Sequence, residues 1–244
     1  MTVYLVGAGP GDPELISVRG ARLLGAADVV IHDRLARPLL GLAAPSAEII
    51  DVGKARGATP VPQREINDLL VSHGRRHGCV VRLKGGDPLV FARGAEEAAV
   101  LCAAGVDFEL VPGISAALAA PSAAGVPLTL RGVLRSFTVL TGHEDPRAAP
   151  ADYWHALVAL HGTIVVLMAA RHIRAIAACL IDAGMAPATP VAAIHAATTG
   201  AEQVERCRLD ALAESRLPPP VTYVIGESAA LDLRRPTSMG ASRG

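Results

Sequence analysis

Glycines and carboxylates gather in three short segments of this chain. Gly7, Gly9 and Gly11 follow the run VYLV, Asp33 follows VVIH, and Gly85, Gly86 and Asp87 close the run CVVRLK. Glycines directly after a strand let the backbone turn tightly and approach a ligand, with bare N–H and C=O groups as contacts. The first group departs from a dinucleotide fingerprint, which wants a third glycine where Asp12 stands. A carboxylate there opposes a pyrophosphate at a helix N-terminus. Asp33 nonetheless lies about where a ribose-binding acid would lie, so NAD stays as the weaker alternative. Asp87 offers a carboxylate to hydroxyls or a cationic amine, or else closes a tight Asp-Pro turn.

His73 and His77 stand four apart in SHGRRHG, a spacing that can bring two imidazoles to one helix face for a metal. Glycines at 74 and 78 interrupt that helix, two arginines intervene, and no supporting shell is evident, so no metal is expected. His143 in TGHED is expected to bond locally. Cys79, Cys102, Cys179 and Cys207 are too widely spaced for a zinc knuckle and read as reduced packing residues of a cytoplasmic protein.

These residues need a scaffold, and the first half supplies one by alternation. VYLV, PELISVRGARLLGAA, VVI, EINDLLVSHGRRHG, CVVRL, AEEAAVLCAAG and DFELV read strand, helix, strand, which predicts a parallel sheet covered on both faces. Asp12 before Pro13 predicts a capped helix start, and Gly25 its end. Beyond the small-residue run from Ser115 to Gly125 comes a second α/β set, in which residues 202–210 read as a partly exposed antiparallel strand. The expected architecture is two α/β domains, the N-terminal one mainly parallel over residues 1–117 and the C-terminal one mixed over 118–233. A disordered tail is expected over 234–244.

Composition removes several classes of partner. Lys plus Arg and Asp plus Glu both total 23, so no global field favours nucleic acid or an anionic membrane. Aromatics make up 3% of the chain, too few for a single-stranded nucleic-acid platform. The longest uncharged stretch, Leu110 to Leu130, is broken by Pro112, Pro121 and Pro127 and is not a membrane span. No signal peptide is expected before VYLVG.

In one order the chain carries VYLVGAGPGDPELISVRGARLL, HDRL, VGKARG, QREINDLLV, VVRLKGGDPLVFARGAEEA, VPGISAA, AGVPLT and SFTVLTGH. Together these resemble the uroporphyrinogen-III C-methyltransferases of the tetrapyrrole methylase family. The resemblance implies two α/β domains with S-adenosylmethionine in the cleft between them, a homodimer, and methylation of uroporphyrinogen III at C2 and C7 to precorrin-2 for sirohaem or cobalamin. It implies no metal. It assigns Asp33 as base and Lys54 as acid or substrate-carboxylate partner. For Asp33 the bland reading is a cap on RLARPLL.

The family's cofactor contacts fall on Pro10, Gly85, Gly86, Asp87, Val90, Ser115, Ala116, Met168 and Ala197. Met168 in TIVVLMA would otherwise read as core packing. A substrate bearing many carboxylates calls for basic residues near these motifs, and Arg34, Lys54, Arg56, Lys84 and Arg131 are candidates. His32, Leu130 and Ala169 depart from the usual pattern, Leu130 putting the number or position of methylations in question. The competing readings are a same-fold methyltransferase acting on a precorrin or other tetrapyrrole, and a noncatalytic tetrapyrrole-binding protein.

Overall fold

A computed structural model describes residues 1–53, 61–214 and 216–234. The chain divides into two compact units, Met1–Ser115 and Ala116–Gly244.

In the first unit five strands, β1 (Thr2–Gly7), β2 (Val29–His32), β3 (Glu48–Asp51), β4 (Cys79–Lys84) and β5 (Phe108–Val111), form one sheet in the order β3-β2-β4-β1-β5. Every pairing is parallel, so all five strands end at the same edge. Period-two alternation sends side chains to two separate cores. Val3, Leu5, Val29, Ile31 and Val80 face Ile66 and Leu70 of α2 (Gln63–Gly74) and Leu101 of α3 (Gly94–Ala103). Val6, Val30, Val81, Leu83 and Val111 face Leu24 of α1 (Val18–Gly25) and Ala36 and Leu39 of the 3-10 segment Arg34–Leu42.

The first helix starts later than its sequence suggests. The Asp12 carboxylate does cap, accepting from Glu14 N at 2.9 Å, but it closes only the 3-10 turn Pro13–Leu15. Extended backbone at Ile16 and Ser17 breaks the run. Ser17 Oγ then caps α1 proper, accepting from Gly20 N at 3.0 Å.

In the second unit β6 (Phe137–Thr141), β7 (Thr163–Leu167), β8 (Pro190–His195), β9 (Gln203–Arg208) and β10 (Val221–Ile225) lie in the order β6-β7-β10-β8-β9. The β6–β7 pair is parallel and the other three are antiparallel, so this sheet is mixed, with β9 as the exposed antiparallel edge. Trp154 and Leu157 of α5 (Ala151–Ala159) and Ile176 and Leu180 of α6 (Ile173–Asp182) pack one face. Ala117 and Ala120 of α4 (Ala116–Ala123) pack against Val165, Val224 and Ile194 on the other. No helix among the described residues is long and apolar enough to cross a membrane.

None of the four cysteines is in a disulfide. Three are half-buried as packing residues would be, and burial pushes the Cys79 thiol up. Cys102 instead lies exposed, because its position on α3 faces away from the sheet. Of the tail expected over 234–244, residues 235–244 lie outside the described residues, while Arg234 donates to Ala123 O at 2.9 Å.

Candidate active site

Parallel pairing carries the glycine loops of the first unit to one sheet edge, where open α/β sheets bind ligands. After β1, Ala8 N donates to Lys84 O at 2.7 Å, and Gly9 and Gly86 exchange two backbone hydrogen bonds of 3.2 and 2.8 Å. A Cβ on Gly7 would come within 2.5 Å of Gly113 Cα and 2.7 Å of Gly86 O. The loops after β1, β4 and β5 are thus in backbone-to-backbone contact, which only glycine permits at positions 7 and 113. The Asp87 carboxylate joins the last two, accepting from Leu89 N at 2.8 Å and from Gly113 N at 3.1 Å. Both Asp87 oxygens therefore shape the loop, and the Asp-Pro turn reading describes this geometry.

Asp33 directly follows β2 at the same edge, with its side chain 35% exposed. It occupies the capping position of the 3-10 segment but makes no capping hydrogen bond. Its Oδ1 instead accepts from Arg82 Nη2 at 2.6 Å. Arg82 is 2% exposed and its Nε donates at 3.1 Å to Glu97, which is fully buried on α3. Lys84, two residues further along β4, lies 2.9 Å from both Glu97 oxygens and donates to Oε1. Gln63 Nε2 donates to the same oxygen at 3.2 Å and to Asn67 Oδ1 at 3.0 Å. Burial pushes the Lys84 ammonium below its ordinary value, Arg82 pushes the same way, and Glu97 and Asp33 oppose.

This network corrects the candidacy of Lys84 as a partner for substrate carboxylates. Strand alternation points Arg82 and Lys84 to one face, inward against α3, and Glu97 holds the ammonium there. Neither Arg82 nor Glu97 stood out in the sequence. A signal was present: two cations spaced by two inside a strand buried on both faces require a buried anion nearby.

The remaining expected site residues fall into groups. Pro10, Gly85, Gly86 and Ser115 are half-buried around the glycine contacts, and Val90 is exposed beyond them. Arg34 is exposed next to Asp33, and its backbone would be overlapped by a Cβ on Gly53, so the exit of β3 packs directly on it. Gly53 N also donates to Asp51 Oδ1 at 2.9 Å. The Arg37 guanidinium pairs with Asp51 and holds its carboxyl below the usual range. Lys54 and Arg56 lie outside the described residues.

In the second unit β7 and β8 run the same way, so the segments after them share an edge. Met168 follows β7 with φ +57° and 49% exposure, outside the core that its apolar context suggests. Ala197 is buried after β8 between Ala196 and Thr198, whose φ values are +44° and +66°. Ala116 opens α4, and Arg131 is exposed in the turn closed by Leu130 N donating to Leu134 O at 3.0 Å. Left-handed backbone at non-glycine residues is uncommon and costly, and it gathers at ligand sites.

The family model for "Tetrapyrrole (Corrin/Porphyrin) Methylases" matches residues 2–213. The chain belongs to the tetrapyrrole methylases. It is 43% identical over 231 residues to an S-adenosyl-L-methionine-dependent uroporphyrinogen III methyltransferase of Methanosarcina barkeri, covering 92% of this chain and 91% of the relative. A siroheme synthase of Chromobacterium violaceum is 43% identical over 94% of this chain, which spans 50% of that longer protein. Among solved structures, the uroporphyrin-III C-methyl transferase of Thermus thermophilus complexed with S-adenyl homocysteine matches with a TM-score of 0.81 at 40% identity. That match covers 93% of this chain and 98% of the other. In this tetrapyrrole methylase the two α/β units, one parallel and one mixed, are as the sequence motifs imply.

Proposed function

We propose that this tetrapyrrole methylase transfers methyl groups from S-adenosylmethionine to C2 and C7 of uroporphyrinogen III, yielding precorrin-2 for sirohaem or cobalamin. The observation that carries the reading is Asp33: an accessible carboxylate at the ligand-binding edge, unused as a cap and fixed by a buried arginine. The relatives above support the choice of substrate and methyl donor.

A cofactor with amine, carboxylate and hydroxyl groups fits a cradle of backbone groups. The contacts among Gly7, Gly86 and Gly113 leave no room for a Cβ at positions 7 and 113 and hold the loop amides and carbonyls in place. Pro10, Gly85, Gly86, Asp87, Val90 and Ser115 in the first unit, with Ala116, Met168 and Ala197 in the second, are the proposed cofactor residues. When bound, S-adenosylmethionine supplies an electrophilic methyl on a sulfonium. The protein's task is then alignment, because an electron-rich pyrrole carbon attacks that methyl unaided once placed.

Asp33 faces the macrocycle in this scheme, stabilising the positive charge that methylation leaves on it and accepting the proton it sheds. Arg82 sets the direction of that carboxylate. Arg34 beside it, with Lys54, Arg56 and Arg131, supplies the cations for substrate carboxylates. Exposed Leu35, Leu89 and Phe91 in the loops of the same edge offer apolar contact to the ring. We further propose a cytoplasmic homodimer.

The test is anaerobic incubation with uroporphyrinogen III and S-adenosylmethionine, following product mass and S-adenosylhomocysteine together. Two added methyl groups are expected; unmodified substrate with the cofactor bound would overturn the substrate assignment. Asp33→Asn should lower turnover by roughly 100- to 10,000-fold, the range for general acid–base groups. Its cofactor affinity should stay within about twofold, and an equal loss of both would remove Asp33 from the substrate side.

A further inference from the structure

At the opposite edge of the first sheet, where the strands begin, three donor side chains meet. Glu48 is the first residue of β3, His73 lies in the last turn of α2, and His77 follows two residues before β4. One ligand atom from each lies within 4.8 Å of the others. Gly74 does end the helix, yet the turn continues: His77 N and Arg76 N both donate to His73 O at 3.0 Å. This stacks the two imidazoles at a centroid distance of 5.4 Å and an interplanar angle of 23°. The intervening arginines are turned elsewhere, Arg75 to Ala104 O at 2.9 Å and Arg76 to Ser72.

We propose that Glu48, His73 and His77 bind a borderline divalent cation such as Zn2+, which clamps the start of β3 to the end of α2. Two imidazoles and one carboxylate are a donor set such ions favour, with an open position left for water. His73 Nδ1 is buried without a hydrogen-bond partner. Donors around a tetrahedral zinc stand roughly 3.4 Å apart. The three donors need to draw together to that spacing, and Glu48 is the exposed member of the set, with room to turn toward the imidazoles. Glu48 makes no ion pair with any described residue that would resist this movement.

The clamp lies at the far edge from Asp33 and the glycine loops, so this inference stands apart from the reading of the reaction. The full chain, stripped with chelator and desalted, is titrated with Zn2+ by calorimetry and with Co2+ by visible absorption. Melting temperature is recorded with and without Zn2+. The expected result is saturable binding of a single equivalent, cobalt bands of a low-symmetry nitrogen and oxygen site, and a raised melting temperature. His77→Gln and, separately, Glu48→Gln should each weaken binding by roughly tenfold or more, at least what loss of outer support alone costs. Both should shrink the thermal shift at a given Zn2+ concentration. Absence of saturable binding overturns the proposal, as does binding that persists unchanged in both variants, which would place the ion on other histidines or the thiols.

Discussion

Replacing Glu97 by Gln keeps the side chain's shape and deletes the one charge that lies against both Arg82 and Lys84. Arg82 keeps Asp33 as a partner at 2.6 Å, whereas Lys84 is left buried with no carboxylate of its own. Its cheapest response is to shed the proton. A free lysine ionises near 10.4, so holding it neutral near pH 7 costs about 1.36 kcal/mol per unit over roughly 3.4 units, or about 4.6 kcal/mol. The cost of breaking a buried ion pair, about 3–5 kcal/mol, agrees. Against a typical total of about 5–15 kcal/mol this is a large fraction.

The assay is urea unfolding of wild type and variant at a series of pH values. In the variant the unfolded chain binds a proton that the folded chain does not, so stability rises with pH. The deficit should shrink by about 1.4 kcal/mol per unit between roughly pH 7 and 9. Adding Lys84→Met should recover all but about 1 kcal/mol, as replacing whole buried ionic groups by apolar ones often does. A deficit below about 1 kcal/mol, or one that does not change with pH, would refute this account of the network.

Two loop substitutions test the glycine cradle. Gly113→Ala should destabilise by about 1–3 kcal/mol in thermal unfolding, because its Cβ enters the space of Gly7 and Gly86, while Gly41→Ala, with nothing within 4 Å, stays within about 0.5 kcal/mol; equal effects would show that the loops separate freely. Asp87→Ala leaves two backbone amides without their carboxylate acceptor and should cost about 1–3 kcal/mol together with weaker S-adenosylmethionine binding by calorimetry, and unchanged affinity would remove the loop from the cofactor site.

What the sequence discloses follows from how local each signal is. Strand-helix alternation is written in stretches of about ten residues, so the parallel first sheet and the polar edge strand near 203–208 could be read directly. Asp33 at a strand end was legible too, but its partner was not. Arg82 is 49 positions away, and only the β2–β4 pairing brings the two together. Lys84 was misread because a lysine before two glycines looks solvated until the burial of both sheet faces is known. Glycines at 74 and 78, two intervening arginines and no evident supporting shell argue against a metal in the sequence, which does not show how near the two rings lie. Helix termination does not scatter side chains when one further turn persists, as here through His73 O.

Phe91, Arg93, Met168, Ala196 and Thr198 all hold left-handed backbone in loops that follow strands β4, β7 and β8. None is a glycine or an asparagine, the residues that adopt this shape at least cost. Each of these positions is a place where Gly could relieve strain worth on the order of 1 kcal/mol, so heat resistance is available there by substitution. A chain that keeps residues other than glycine at such places has foregone that resistance, and an engineer who took it back would be relaxing the same loops that give the edge its shape. Selections for thermal tolerance in this protein should therefore accumulate changes at these five positions only when catalysis is not demanded at the same time.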